Sequence, residues 1–157
     1  MALDGVDQSF SEIAGVLKSA SRVLFVTGAG VSADSGLPTY RGVGGLYEDQ
    51  ATADGMPIEQ ALSGDMFARR PEVTWKYLWQ IGQACLSARP NRAHEVIAMM
   101  QRSQLEVWVL TQNIDGLHRA AGTSHLVEVH GNMFDLGCTD CGHLFSIDDF
   151  VVAGHHT

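Results

Sequence analysis

The chain has 157 residues, 45% of them hydrophobic and 8% aromatic, enough to build one globular core and too apolar for a disordered or fibrous chain. No apolar run reaches the roughly 20 residues that a membrane span needs, and Met1 to Gly5 lack the basic and apolar regions of a signal peptide, so the expectation is a cytoplasmic protein with no membrane partner. A formal net charge of −8 argues against direct nucleic-acid binding, which needs a basic surface; it suits a Lys/Arg-rich peptide partner and serves solubility equally well.

In chain order, Ser9-x-x-Glu12 reads as a capping box, and Phe10, Ile13, Ala14 and Leu17 recur at i, i+3, i+4, i+7, which predicts a first helix from Ser9. Val23 to Val26 form a continuous apolar run that predicts a strand buried on both faces, as in a parallel sheet. It runs into a glycine-rich stretch with Gly28, Gly30, Gly36, Gly42, Gly44 and Gly45. Residues 48–64 read as loop with a short helix. Pro71 suits a first helical turn, and Trp75, Leu78, Trp79 and Leu86 follow at helical spacing. Cys85 in that helix reads as a small buried hydrophobe. Asn91, after Pro90, is a natural N-cap for a helix over 93–102.

Val107 to Leu110 predict a second buried strand, entering Thr111-Gln112-Asn113. A helical turn over 117–121 stops at Gly122. Leu126 to Val129 predict a third strand that ends at His130-Gly131. Strands with helices between them predict an α/β fold: part of a Rossmann-like, doubly wound parallel sheet, with about three of the roughly six strands such a fold carries. The division expected is a nucleotide-binding part over 1–133, with a helical and loop insertion at about 42–104, and a small Cys-bearing module over 134–157. Of three cysteines, Cys138 and Cys141 form C-x-x-C, half of a possible metal site; three are too few and too uneven for a disulfide framework.

Gly28-Ala29-Gly30-Val31-Ser32-Ala33 directly after a strand has a physical purpose. The first glycine permits the tight turn, the second lets backbone approach a pyrophosphate, and a small third residue lets helix and strand pack closely. N–H groups at the helix start then bind phosphate. An ordinary dinucleotide dehydrogenase places an acidic residue about 20 positions on, at the end of a second strand; here that place holds the loop Gly44-Gly45-Leu46-Tyr47-Glu48.

Gly28 to Arg41, read with Gly42-Val43-Gly44-Gly45-Leu46-Tyr47, Thr111-Gln112-Asn113-Ile114-Asp115-Gly116-Leu117-His118, His130-Gly131 and Cys138-x-x-Cys141-Gly142, resembles the sirtuin family, in the family's order and approximate spacing from about Ile13 onward. The resemblance implies an NAD-dependent protein-lysine deacylase of bacterial type. Acetylated lysine in a protein or peptide would be the substrate, and nicotinamide, O-acyl-ADP-ribose and free lysine the products. It implies that His130 accepts a proton from a ribose hydroxyl, a task an imidazole suits with an ordinary pKa near 6.5. It puts Asn113 and Asp115 in the nicotinamide pocket, where an amide would bond ribose hydroxyls or water and a carboxylate would accept from the carboxamide; an Asx turn after a strand is the structural alternative for both.

The remaining cofactor contacts it implies are Gly28, Ala29, Gly30, Ser32, Asp34, Pro38, Thr39, Tyr40, Arg41, Gln112 and Ile114. Tyr40 departs from the family's usual Phe, a ring that covers the reacting ribose face. Cys138 and Cys141 would be the first half of a structural Cys₄ zinc site, its second C-x-x-C expected beyond Thr157, so that the zinc module is incomplete in this chain; His143, His155 and His156 lie nearby. Where one branch of the family carries a Tyr and an Arg for acidic acyl groups, this chain has Leu78 and Ile81, which implies preference for uncharged acyl groups. The expectation is therefore the N-terminal portion of such an enzyme. The main alternative is a catalytically inactive module that binds NAD or ADP-ribose.

Overall fold

A computed structural model describes residues 2–37 and 52–147. Helix α1 (Ala2–Ser19) leads into strand β1 (Arg22–Thr27) and a short 3-10 helix (Ala29–Ser35). Then come α2 (Ile58–Ala61), α3 (Gly64–Arg69), α4 (Pro71–Ser87) and α5 (Arg92–Gln101). Strand β2 (Glu106–Thr111), helix α6 (Leu117–Ala120), β3 (Leu126–Glu128), β4 (Asp135–Gly137) and β5 (Leu144–Ser146) complete the order. Helix α1 starts well before Ser9: the Ser-x-x-Glu spacing lies inside it, and Gln8 Nε2 donates to Glu12 Oε1 at 3.3 Å, an i,i+4 pair of a continuing helix.

The three main strands lie in the order β1-β2-β3, all parallel. Val23 pairs with Val107, Phe25 with Val109 and Thr27 with Thr111, so one face collects the odd-numbered residues of β1 and β2. Val107 and Val109 are fully buried there, each worth about 1.5–3 kcal/mol of burial. Helices α5 and α6 cover this face through His94, Ile97, Ala98, Leu117 and His118. The opposite face carries Leu24, Val26, Trp108, Val127 and Val129, all exposed among the described residues. The expected burial on both faces is thus corrected to one among the described residues: apolar runs do not alternate in sequence, yet only one of their two sides meets a described helix.

A second core sits among α2, α3 and α4, where Ile58, Ala61, Val73 and Tyr77 pack with Met56, Leu62 and Met66. Pro71 opens α4 and Asn91 caps α5, both as the sequence predicts. The buried stripe of α4, however, is Val73, Thr74, Tyr77, Ile81, Gly82 and Cys85. Trp75, Trp79 and Leu86 face outward, because helical spacing groups residues on one side without saying which side meets the core. Asp54 braces the segment ahead of α2, accepting from Lys76 Nζ at 2.8 Å and from the Tyr77 hydroxyl. The antiparallel pair β4-β5 forms a separate small hairpin. No described helix is long and apolar enough to cross a membrane.

Candidate functional site: three strand ends and a glycine-rich turn

The parallel register brings the carboxyl ends of β1, β2 and β3 side by side. Thr27 opposes Thr111, and Thr111 opposes Glu128. Gln112 N donates to Thr27 O at 3.0 Å and Val129 N to Thr111 O at 3.0 Å, so the alignment continues into the loops. Two strand spacings, about 10 Å, separate the outer ends. Ligands of open parallel sheets bind beyond this edge.

The turn after β1 is wound tighter than an α-helix. Gly28 precedes it in extended backbone, Val31 N donates to Gly28 O at 3.1 Å, and Gly36 closes it at φ 81 with its N–H on Ala33 O. A methyl group at Gly30 would meet none of the described residues within 4 Å, so this backbone is open toward them. Ala29 is partly buried, Asp34 is exposed, and Ser32 is buried.

Ser32 joins the turn to the loop after β2. Its hydroxyl donates to Asp115 Oδ2 at 2.6 Å and accepts from Asn113 Nδ2 at 3.1 Å. Asn113 Nδ2 also donates to Gly28 O at 3.1 Å. The amide hydrogens of Asn113 are therefore engaged within the protein, and its carbonyl oxygen is what it can offer a ligand. Asp115 Oδ1 accepts from Leu117 N at 2.9 Å, the Asx bond that starts α6. Each carboxylate oxygen has a second lone pair, so the structural and ligand roles of Asp115 are compatible. Gln112 is exposed, with Oε1 beside Gly28, and Ile114 is partly buried.

His130 is exposed at the tip of a tight turn after β3, where Gly131 adopts φ 71 and its N–H bonds Glu128 O at 3.1 Å. The base of this turn is braced by residues the sequence analysis did not single out. Arg119 from α6 pairs with Glu128 Oε2 and lies 3.6 Å from Asp135, while Asn132 Nδ2 donates to Glu128 at 3.2 Å and to Asp135 at 2.6 Å. Met133 N donates to Ile114 O at 2.9 Å, tying the segment after His130 to the one that bears Asn113 and Asp115.

Beneath the edge lies a buried imidazole pair. His94 and His118 meet edge to face at 4.8 Å, and His118 Nε2 lies 3.0 Å from Thr27 Oγ1. Burial pushes the His118 pKa down to about 4; neighbouring His94 pushes the same way, against Asp115. Burial also lowers His94 and raises the Cys85 thiol to about 11, with the Asp115 charge adding to the latter.

The Cys-bearing hairpin turns between β4 and β5. Cys138 N donates to His143 O at 2.9 Å, and Gly142, at φ 71, returns its N–H to Cys138 O. Backbone N–H groups of Cys141 and Asp140 point at the Cys138 sulfur and lower its pKa. Two cysteines on such a turn suit two of the four corners of a tetrahedral thiolate site, but no group of three or more metal-ligating side chains occurs among the described residues. Pro38, Thr39, Tyr40, Arg41, the loop from Gly42 to Tyr47, and His155 and His156 lie outside the described residues.

A parallel sheet with a glycine-rich turn after its first strand and convergent polar groups beyond its carboxyl edge defines an α/β protein with the layout of open sheets that bind ligands at that edge. The family model described as the Sir2 family matches residues 28–154, and the chain belongs to that family. It is 57% identical over 132 residues to NAD-dependent protein deacylase 2 of Pseudomonas syringae pv. tomato, a match covering 83% of this chain and 53% of that one. It is similar to a solved Sir2 homologue–NAD complex, with TM-score 0.75 and 32% identity over 87% of this chain and 51% of the other. It is also similar to a Sir2 structure with a deacetylated p53 peptide and 3′-O-acetyl ADP ribose, with TM-score 0.78 and 28% identity over 94% and 57% of the two chains. The chain spans about half the length of the curated relatives it matches.

Proposed function

We propose that this chain carries the nicotinamide-handling half of an NAD-dependent protein-lysine deacylase acting on acetylated lysine in proteins or peptides. The observation that carries the proposal is the single hydrogen-bonded unit made by Gly28, Ser32, Asn113 and Asp115, tied through Ile114 and Met133 to the loop that bears His130. When bound, NAD would supply an activated ribose with nicotinamide as its leaving group, so that transfer of the acyl group to the ribose, with one water consumed, would yield free lysine, nicotinamide and O-acyl-ADP-ribose. The open backbone at Gly30 receives the pyrophosphate. Asn113 offers an oxygen to ribose or water, Asp115 accepts from the carboxamide, and His130, exposed at its turn, accepts a ribose hydroxyl proton. Gln112, Ile114, Ala29 and Asp34 line the same edge, and Pro38, Thr39, Tyr40 and Arg41 would be further cofactor contacts.

Finer readings go with it. The chain divides at residue 133, and the hairpin that follows presents Cys138 and Cys141 as one half of a structural zinc site, the other two ligands coming from elsewhere. The exposed sheet face suits a doubly wound fold, in which helices cover both sides. Leu78 is partly buried and Ile81 buried, so neither offers a cation to an acidic acyl group, which favours acetyl over succinyl substrates. Nicotinamide release from NAD tests the function: release that requires an acetyl-lysine peptide supports it, and release or silence indifferent to the peptide rejects it. Faster turnover of succinylated than acetylated peptide would reject the acyl preference alone.

A further inference from the structure

We infer that Asn91, 60 residues from the glycine-rich turn in sequence, is a positioning residue that holds this turn in its cofactor-binding shape. The inference rests on the reading that the turn receives the pyrophosphate of NAD.

Asn91 does two separable things. As N-cap of α5, its Oδ1 accepts from Ala93 N at 3.0 Å and His94 N at 3.5 Å. A cap needs nothing more, and Ser or Asp serves about as well. The amide nitrogen is spare, and it donates to Val31 O at 2.7 Å, in the middle of the 3-10 helix. That helix has seven residues, and 3-10 hydrogen bonds are of poorer geometry than α-helical ones, so its shape needs outside support.

The support comes from two elements. Val31 is held through its backbone by α5, and the next residue, Ser32, is held through its side chain by Asn113 and Asp115 of the β2–α6 loop. Asn91 is itself fixed. His94 Nδ1 accepts from Asn91 N at 3.3 Å and lies 3.0 Å from Asn91 Oδ1, which completes a capping box and fixes the asparagine from both ends. His94 packs edge-on against His118, and His118 reaches Thr27, the last residue before the turn. The contacts Thr27–His118–His94–Asn91–Val31 thus form a closed circuit around the start of the turn. Freeing Val31 O would let Gly30, which has no side-chain packing of its own, lose the geometry in which its backbone meets phosphate.

Asn91→Ser and Asn91→Asp keep the cap and remove the donor; Asn91→Ala removes both. The measurements are ADP-ribose affinity by titration calorimetry, amide hydrogen exchange at Val31 and Gly36, and thermal stability. Asn91→Ser is expected to weaken ADP-ribose about fivefold, the worth of one neutral hydrogen bond, and to speed exchange in the turn while thermal stability stays near wild type. Asn91→Asp, which sets a carboxylate against a carbonyl, should weaken binding more. Wild-type affinity and exchange in both cap-preserving variants, with only Asn91→Ala affected, would make Asn91 a cap alone and overturn the inference. Failure of the wild-type protein to bind ADP-ribose at all would overturn the cofactor reading and this inference together, a result distinct from the former.

Discussion

The Ser32 hydroxyl donates to Asp115 Oδ2 at 2.6 Å, and both residues are buried although 83 positions apart in sequence. This bond joins the loops after the first two strands into one wall of the site. Ser32→Ala leaves a buried carboxylate oxygen short of its donor, at a cost of about 1–3 kcal/mol. Denaturant unfolding should show that loss, and calorimetry should show weaker ADP-ribose binding as the two loops separate. Unchanged values in both would mean that the bond joins nothing of consequence.

Gly116 is constrained twice. Its backbone sits at φ 69, and an added Cβ would lie 2.6 Å from the Phe134 ring. Gly116→Ala should destabilise by about 2 kcal/mol or more, combining left-handed strain with overpacking. The double variant with Phe134→Leu should recover part of the loss by relieving the contact but not the strain. Equal stabilities for the single and double variants would count against the steric contribution.

Most of this fold was legible because strands of continuous apolar residues and capping residues leave local signals. Asn91 as N-cap, Pro71 in the first turn of α4 and the ends of β1 and β2 at Gly28 and Gln112 are all readable from neighbours in sequence, whereas β3 stops at Glu128, one residue short of the expected Val129. The long-range bonds were not. Asn91 to Val31, Arg119 to Glu128, and the His94–His118 pair depend on which helix packs on which strand, and spacing carries no record of that. Gly116 could have been found: a glycine between an Asx residue and a helix start signals left-handed backbone. The outward stripe of Trp75 and Trp79 shows the converse limit, a strong helical pattern on the solvent side of α4.

The buried imidazoles set an acid limit. His118, held down to about 4 in the folded protein against an ordinary value near 6.5, binds fewer protons folded than unfolded between those values. Its contribution is present above pH 6.5 and is lost as pH falls toward 4, a loss of roughly 3 kcal/mol at about 1.4 kcal/mol per unit. His94, also lowered by burial, adds in the same direction. Unfolding free energy measured from pH 7.5 to 4.5 should fall with acid, and His118→Asn should flatten the slope. A slope that is the same in that variant would assign the acid limit to other groups.

The three cysteines should differ in reactivity. Burial keeps Cys85 protonated with its pKa up at about 11, whereas backbone N–H groups favour the thiolate at Cys138, and Cys141 is exposed. Alkylation followed by peptide mass spectrometry should label Cys138 and Cys141 first and Cys85 only after denaturation. Zinc added beforehand should protect the first two if they serve as ligands. Early labelling of Cys85 would contradict the packing of α4 described above.

Under the proposed function, the acyl group is transferred to the ribose of NAD at the edge shared by Gly28, Asn113 and His130. Mass spectrometry of products from NAD and an acetyl-lysine peptide carrying a labelled acetyl group tests this most directly. Label recovered on ADP-ribose in equal amount to nicotinamide, and abolished by His130→Ala in a folded variant, is the predicted result. Label released as free acetate with no nicotinamide formed, or reduction of NAD to NADH, would contradict it.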